Sequence, residues 1–168
     1  MQNHFDLFGL PPSFSIEGEG LERSYREIQS KVHPDRFAHA GDAERRASLQ
    51  WTTRVNEAYR TLKSPVLRAK YLLGLQGVDV DFETNTAMPR EFLMQQMELR
   101  ERLEDAKQGS DLASLSRDLV VAKREIENQI KARLDSKEFA DAKDLVRKLM
   151  FLERFGEDID AAYEALDA

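Results

Sequence analysis

Residues 30–37 read SKVHPDRF, and this stretch interrupts what otherwise has the spacing of a long helical hairpin. Because a proline disfavours helical backbone angles at the residue before it, the helix that precedes His33 must end near Val32. Asp35 comes next, and the following helix begins only several residues later, so the Asp35 carboxylate is not placed to cap that helix. We therefore predict a stiff, exposed corner whose carboxylate is free to bind a basic group on another molecule. The alternative is an ordinary helix stop with a turn-forming aspartate.

The residues on either side of this corner predict two antiparallel helices. Before the corner, an apolar stripe at helical spacing consists of Leu21, Tyr25, Ile28 and Val32. After the corner, a helix over about residues 42–63 carries a second stripe of Ala47, Trp51, Val55, Ala58, Tyr59 and Leu62. The two stripes can pair, with Trp51 and the tyrosines in the seam between the helices. On this interpretation, Trp51→Ala damages the fold.

Nearly every other segment of the chain also has helical spacing, which predicts an all-α protein. A short apolar helix at the start of the chain is stopped by Pro11 and Pro12. Ser64 is predicted to be the N-cap of another short helix, with Pro65 at its first position and its end at Gly74.

A connector with glycines, acidic residues and no sustained periodicity separates the first part of the chain from the second. Beyond it, helical spacing covers residues 89–107, 111–134 and 138–155, and a separate terminal helix is expected from residue 158. The apolar residues of the middle stretch alternate steps of three and four, which is typical of a bundle seam. We therefore predict a first domain at residues 1–75, a linker at residues 76–86 and a three-helix bundle at residues 87–168.

The composition argues against several classes of function. Lysine and arginine total 25 against 31 aspartate and glutamate residues, and a net charge of −6 argues against a nucleic-acid partner. The chain has no cysteine and three scattered histidines, so we expect no metal site and no cofactor. No signal peptide and no apolar run of ~20 residues is present, so we expect no membrane association and a cytoplasmic protein. No catalytic motif is recognisable, and we do not expect an enzyme.

The predicted bundle has apolar residues that its core does not use. If its first helix buries a stripe that begins at Phe92, other apolar and acidic positions fall on the outer side of that helix. These positions are Leu93, Met94, Met97, Glu98 and Glu101. On the third helix, Phe151 falls roughly opposite the core stripe. Such a face predicts a protein-docking site, unless the terminal helix or the first domain covers it.

The tripeptide His-Pro-Asp, the sequence FDLFGLP before it and VNEAYRTLKSPVLRAKYLL after it resemble the J-domain, with which co-chaperones activate DnaK-type heat-shock ATPases. The resemblance implies that His33, Pro34 and Asp35 act on that ATPase and couple client binding to hydrolysis. It also implies that nearby cations dock on an acidic surface of the ATPase. The candidate cations are Arg23, Arg26, Lys31 and Arg36. The alternatives are an ordinary solvated face for the cations and a plain turn in a helical adaptor for the tripeptide.

Four stretches, FDLFGLPPSF, RAKYLLGLQG, FLMQQMELRERLED and VRKLMFLERF, together resemble the HscB family, the specialised J-proteins of bacterial iron-sulfur cluster assembly. The resemblance implies an L-shaped, bacterial-type co-chaperone that stimulates an HscA-type ATPase and delivers the scaffold protein IscU to it. The scaffold-binding positions that it implies are Leu93, Met94, Met97, Glu98, Glu101 and Phe151. We expect a monomer. A bundle that binds a different client is the alternative.

Overall fold

The computed structural model describes residues 2–81 and 88–167, and all regular structure in these ranges is helical. The helices are α1 (His4–Leu7), α2 (Gly18–Val32), a 3-10 turn (Pro34–Phe37), α3 (Asp42–Lys63), α4 (Pro65–Leu75), α5 (Arg90–Asp105), α6 (Gly109–Asp135) and α7 (Phe139–Asp167). The all-α prediction is therefore confirmed. The chain forms two compact units, and the division falls between Leu72 and Leu73. Of the predicted linker, residues 82–86 lie outside the described ranges.

The first unit is a hairpin of α2 and α3, with α1 packed against α3. Its buried core consists of Phe5, Phe8, Leu21, Val55, Ala58 and Leu62. α1 has only four residues, and a reciprocal cap holds its start: the Asn3 side chain accepts the backbone N–H of Asp6, while the Asp6 carboxylate accepts that of Asn3. Because so short a helix is not stable alone, the burial of Phe5 fixes it on the hairpin.

The end of α2 is fastened to α3 by two hydroxyl groups. Ser48 donates a hydrogen bond to the carbonyl oxygen of Val32 at 2.6 Å, and Thr52 donates to the same oxygen at 3.2 Å. The last carbonyls of a helix have no partner within it, so these bonds satisfy a group that burial would otherwise leave unpaired. Ser48 is accordingly the one buried polar side chain in the described ranges. The last residue before the corner is thus held in place from the other helix.

Trp51 does not lie in the seam, and the prediction that it does was wrong. Its exposed fraction is 41%, and the Arg54 guanidinium lies over its ring at 5.4 Å. Ala47, from the same predicted stripe, is also exposed. The buried part of the stripe begins only at Val55, and before it the hydroxyls of Ser48 and Thr52 meet the end of α2. Periodicity places residues around a helix but does not show how far along the helix a partner covers that face.

The two tyrosines do lie in the seam, as predicted. The rings of Tyr25 and Tyr59 stack with their centres 4.0 Å apart, and the Tyr25 hydroxyl donates to the Asn56 side chain at 2.7 Å. The predicted cap of α4 is also confirmed, because the Ser64 hydroxyl accepts the backbone N–H of Leu67 at 3.3 Å.

The second unit contains α5, α6 and α7, and the most extensive packing between helices joins α6 to α7. One buried cluster of its core consists of Leu99, Leu112, Leu115, Leu119, Leu152, Phe155 and Ile159. Ion pairs cross between its helices, among them Arg102 with Asp118 at 2.9 Å and Lys123 with Glu153 at 3.1 Å. The predicted bundle is therefore confirmed for the described residues.

The prediction of a separate terminal helix was wrong, because α7 continues without a break from Phe139 to Asp167. Gly156 marked the expected boundary, but a glycine weakens a helix by only about 1 kcal/mol and no proline follows it. Here the glycine serves close packing: a Cβ atom added to it would lie 3.2 Å from the Leu119 side chain. Burial of Phe155 and Ile159 on either side of it fixes the helical course.

Candidate protein-binding sites

The tripeptide His33, Pro34 and Asp35, called the corner below, begins where α2 ends. His33 has extended backbone angles, φ −56° and ψ 133°, as the proline after it requires. Pro34 then opens the 3-10 turn, so the predicted corner continues into a short helical turn. Within this turn the Nδ1 atom of His33 accepts the backbone N–H of Asp35 at 3.2 Å. The imidazole thus caps the turn and fixes the backbone at Asp35.

The Asp35 carboxylate faces solvent, with 92% of its side chain exposed. His33 Nδ1 lies 3.6 Å from one of its oxygens. That contact is not an ion pair in this arrangement, because the same nitrogen acts as an acceptor for the Asp35 N–H. In the part of the chain that the structure describes, no lysine or arginine pairs with Asp35. A solvated carboxylate on a fixed backbone turn therefore remains available to a cation from another molecule.

Arg36 follows the corner and turns back onto α2. Its guanidinium donates to the carbonyl oxygen of Ser30 at 3.1 Å. Since the last carbonyls of a helix carry partial negative charge, this contact stabilises the end of α2. Arg36 thus has a structural task as well as an exposed charge.

The cations of α2 are partly neutralised by acids on the same helix. Arg26 pairs with Glu22 at 2.5 Å, and Lys31 pairs with Glu27 at 3.2 Å. Each pair is formed by exposed side chains four residues apart, an arrangement that contributes only about 0.3–0.5 kcal/mol. Arg23 is exposed and forms no ion pair within the described ranges. These cations can exchange their partners at little cost when an acidic surface approaches.

The second candidate site lies on α5. Leu93, Met94 and Met97 have exposed fractions of 45%, 58% and 63%, as predicted from their place outside the core stripe. Glu98 and Glu101 lie beside the methionines and with them line a shallow, open hollow. These five residues are called the methionine face below. Exposed apolar side chains of adaptable shape, edged by carboxylates, suit the surface of another protein.

Phe151 lies at the border of this face and not on the outer side of α7, where periodicity had placed it. It is half-buried, its ring meets Phe92 edge-on at 5.7 Å, and it stacks on Phe155 at 6.1 Å. These three residues are called the aromatic cluster below. The prediction that Phe151 lies on the outer side was wrong because α5 covers this side of α7. A helical wheel drawn for one helix does not show which of its sides a second helix covers.

Comparison with known proteins identifies the family. The family model of the HSCB C-terminal oligomerisation domain matches residues 88–160. The co-chaperone protein HscB homolog of Aromatoleum aromaticum is 47% identical to this chain over 170 residues, which cover 99% of the chain and 96% of that relative. The chain belongs to the HscB family of co-chaperones.

Further HscB relatives agree with this assignment. The co-chaperone protein HscB homolog of Burkholderia mallei is 51% identical over 170 residues, covering 98% of the chain and 96% of the relative. The solved structure of the chaperone HscB from Vibrio cholerae is 35% identical, with a TM-score of 0.88 and coverage of 98% of this chain and 99% of that one. Both helical units therefore have counterparts throughout the HscB fold.

The sequence interpretation did not show which residues hold the corner in position. Ser48 and Thr52, on α3, fasten Val32, and Arg36 closes the end of α2. A signal was present, because two hydroxyl residues four apart in an apolar helix face are placed to meet a neighbouring helix end. The described ranges contain no cluster of three or more histidine, aspartate and glutamate residues that could hold a metal. No helix among them is both long and apolar enough to span a bilayer.

Proposed function

We propose that this HscB-family chain is a J-type co-chaperone that stimulates the ATPase of an HscA-type heat-shock chaperone and delivers the scaffold IscU to it, which promotes cluster maturation and transfer. The observation that carries the proposal is the Asp35 carboxylate, exposed at a rigid corner and free of any internal lysine or arginine in the described ranges. In this proposal the first unit is a J-domain. The second unit is the scaffold-binding domain.

The corner binds the ATPase through an arginine or lysine of that partner. Because the bond to His33 fixes the backbone at Asp35, little backbone entropy is lost when a cation binds the carboxylate, which favours the contact. Arg23, Arg26 and Lys31 approach an acidic surface of the same partner along α2. Their attraction acts on the rate of encounter more than on the lifetime of the complex.

The methionine face binds IscU, with Phe151 supporting it from the aromatic cluster. Leu93, Met94 and Met97 contribute apolar contact area, while Glu98 and Glu101 contribute hydrogen bonds and charge at the rim. Phe151 is half-buried, so its contribution combines direct contact with support of α5.

The mechanism is tethering coupled to hydrolysis. A chain that holds the ATPase with one unit and the scaffold with the other raises the effective concentration of the scaffold at the peptide site of the chaperone. The corner then couples that arrival to ATP hydrolysis. The chain itself needs no catalytic residue and no cofactor for this work. We further propose that it acts as a monomer in the cytoplasm, without nucleic acid or membrane.

The proposal is tested by the steady-state ATPase rate of HscA with increasing amounts of this protein, in the absence and presence of IscU. We expect the protein alone to raise the rate and the two together to raise it by more than the product of their separate effects. A helical adaptor would leave the rate unchanged at every concentration, and that result would contradict the proposal. A J-protein with another client would raise the rate, but its effect and that of IscU would combine to no more than their product.

A further inference from the structure

Two cations lie over the rings of the aromatic cluster. The guanidinium carbon of Arg100, on α5, is 5.5 Å from the centre of the Phe151 ring. The Nζ atom of Lys148, on α7, is 5.6 Å from the centre of the Phe92 ring. Because the face of an aromatic ring attracts cations, the rings hold both side chains at this edge of the methionine face.

Neither cation forms an ion pair within residues 2–81 and 88–167, unlike Arg102 and Lys123 of the same unit. Glu104 lies one turn beyond Arg100 along α5, yet no ion pair joins the two. A carboxylate that pairs with a cation accepts hydrogen bonds from the N–H groups of that cation, whereas an aromatic ring that attracts the cation does not occupy those N–H groups. Arg100 and Lys148 therefore keep hydrogen-bond donors for a group outside the chain.

The order of side chains around α5 gives the surface two unlike edges. At about 100° per residue, Arg100 lies about 80° from Phe92, on the side of α7. Leu93 and Met97 follow at about 100° and 140°. Beyond them the remaining members of the methionine face, at about 180°, 200° and 240°, are Glu101, Met94 and Glu98. The surface thus runs from cations through apolar side chains to a region where acids predominate.

We propose that Arg100 and Lys148 form a cationic edge of the scaffold-binding surface, which binds carboxylates of the scaffold and fixes the direction in which it lies across α5. This inference rests on the function proposed above. A surface with cations on one edge and acids on the other fits a charged partner in one direction only, since the reverse direction places like charges together. The apolar strip supplies contact area, and the two edges supply direction.

The test is the double variant Arg100→Met with Lys148→Met, titrated with IscU in low salt. Methionine keeps an apolar stem over each ring and removes the charge, so the melting temperature is expected to stay unchanged. We expect the affinity to fall by about fivefold to tenfold, and the difference from wild type to shrink in high salt. Arg100→Glu is expected to bind more weakly than Arg100→Met.

The matched control is Arg124→Met, which removes an exposed cation of α6 and should bind IscU as wild type does. Wild-type affinity and salt dependence in the double variant, while Leu93→Ala with Met97→Ala binds weakly, would overturn this inference and leave the proposed function standing. If the wild-type protein itself does not bind IscU, the proposed function fails and this inference fails with it.

Discussion

The Ser48 hydroxyl donates a 2.6 Å hydrogen bond to the carbonyl oxygen of Val32, which fastens the end of α2 to α3 directly before the corner. Ser48→Ala removes this bond in a buried position and leaves the longer bond from Thr52 to that oxygen. We expect the free energy of unfolding to fall by about 1–2 kcal/mol, measured by denaturant titration.

Thr53→Ala is the control for this substitution. The Thr53 hydroxyl is exposed and donates to the carbonyl of Leu49 within its own helix, so its loss should cost less than about 0.5 kcal/mol. Equal losses from both variants would mean that the bond to Val32 does not hold the two helices together.

Trp51→Ala is expected to change the free energy of unfolding by less than about 1 kcal/mol, because the indole lies on the surface of α3. Leu62→Ala, at a fully buried position of the same helix, should cost about 2–5 kcal/mol. Chemical unfolding of both variants gives the comparison. If Trp51→Ala lowered the free energy of unfolding as much as Leu62→Ala does, Trp51 would have to be a core residue, contrary to this account.

Leu93→Ala with Met97→Ala is expected to weaken IscU binding by more than about tenfold without lowering the melting temperature, since both side chains are exposed. Val120→Ala with Val121→Ala removes equally exposed apolar side chains from α6 and should leave binding unchanged. Calorimetric titration of IscU distinguishes the two pairs. Similar losses from both pairs would mean that binding is not localised on the methionine face.

Phe151→Ala is expected to weaken IscU binding and also to lower stability, by about 1–3 kcal/mol, because the ring packs against Phe92 and Phe155. Thermal unfolding and titration on the same sample separate the two effects. Full stability with lost binding would make Phe151 an exposed anchor, as the sequence alone had suggested.

His4 gives the first unit a dependence on pH. The His4 ring stacks on Tyr71, with the ring centres 4.3 Å apart. Burial lowers the pKa of His4 below its ordinary value. The charge of Glu57 raises this pKa and the charge of Arg54 lowers it, and the net shift is downward. The unfolded chain therefore binds more protons, so stability is full above about pH 6.5 and falls as the pH drops from there toward the folded pKa. His4→Phe keeps a stacked ring without titration. We expect its melting temperature to fall less than that of wild type between about pH 7.5 and pH 5.5, and an identical fall would contradict this account.

The sequence was sufficient for the features that depend on local chemistry. The break at Pro34, the cap at Ser64 and the exposure of Leu93 and Met97 all follow from neighbouring residues or from the wheel of one helix. These features also define the corner and most of the methionine face, which is why the candidate sites could be named before any coordinates.

The errors concern residues whose place depends on a second helix. Trp51 is apolar and falls at the expected spacing, but near this end of α3 the hydroxyls of Ser48 and Thr52 make the contact with α2 and the indole faces solvent. Phe151 lies on the outer side of α7 considered alone, and α5 covers that side. Gly156 resembles a helix end until its packing on Leu119 is seen. Such information resides in contacts between elements, not in periodicity.

The central claim is that the Asp35 carboxylate acts on the ATPase, and Asp35→Asn tests it most directly. Asparagine keeps the shape of the side chain and the backbone bond to His33, so the variant removes little except the charge. Glu44→Gln is the control, because it neutralises another exposed acid at the start of α3.

The measurement is the steady-state ATPase rate of HscA with IscU and each variant, alongside the melting temperature. We expect Asp35→Asn to lose the stimulation while its melting temperature and its IscU affinity match those of wild type, and Glu44→Gln to stimulate normally. Full stimulation by Asp35→Asn would contradict the account, because the exposed carboxylate would then have no part in activating the ATPase.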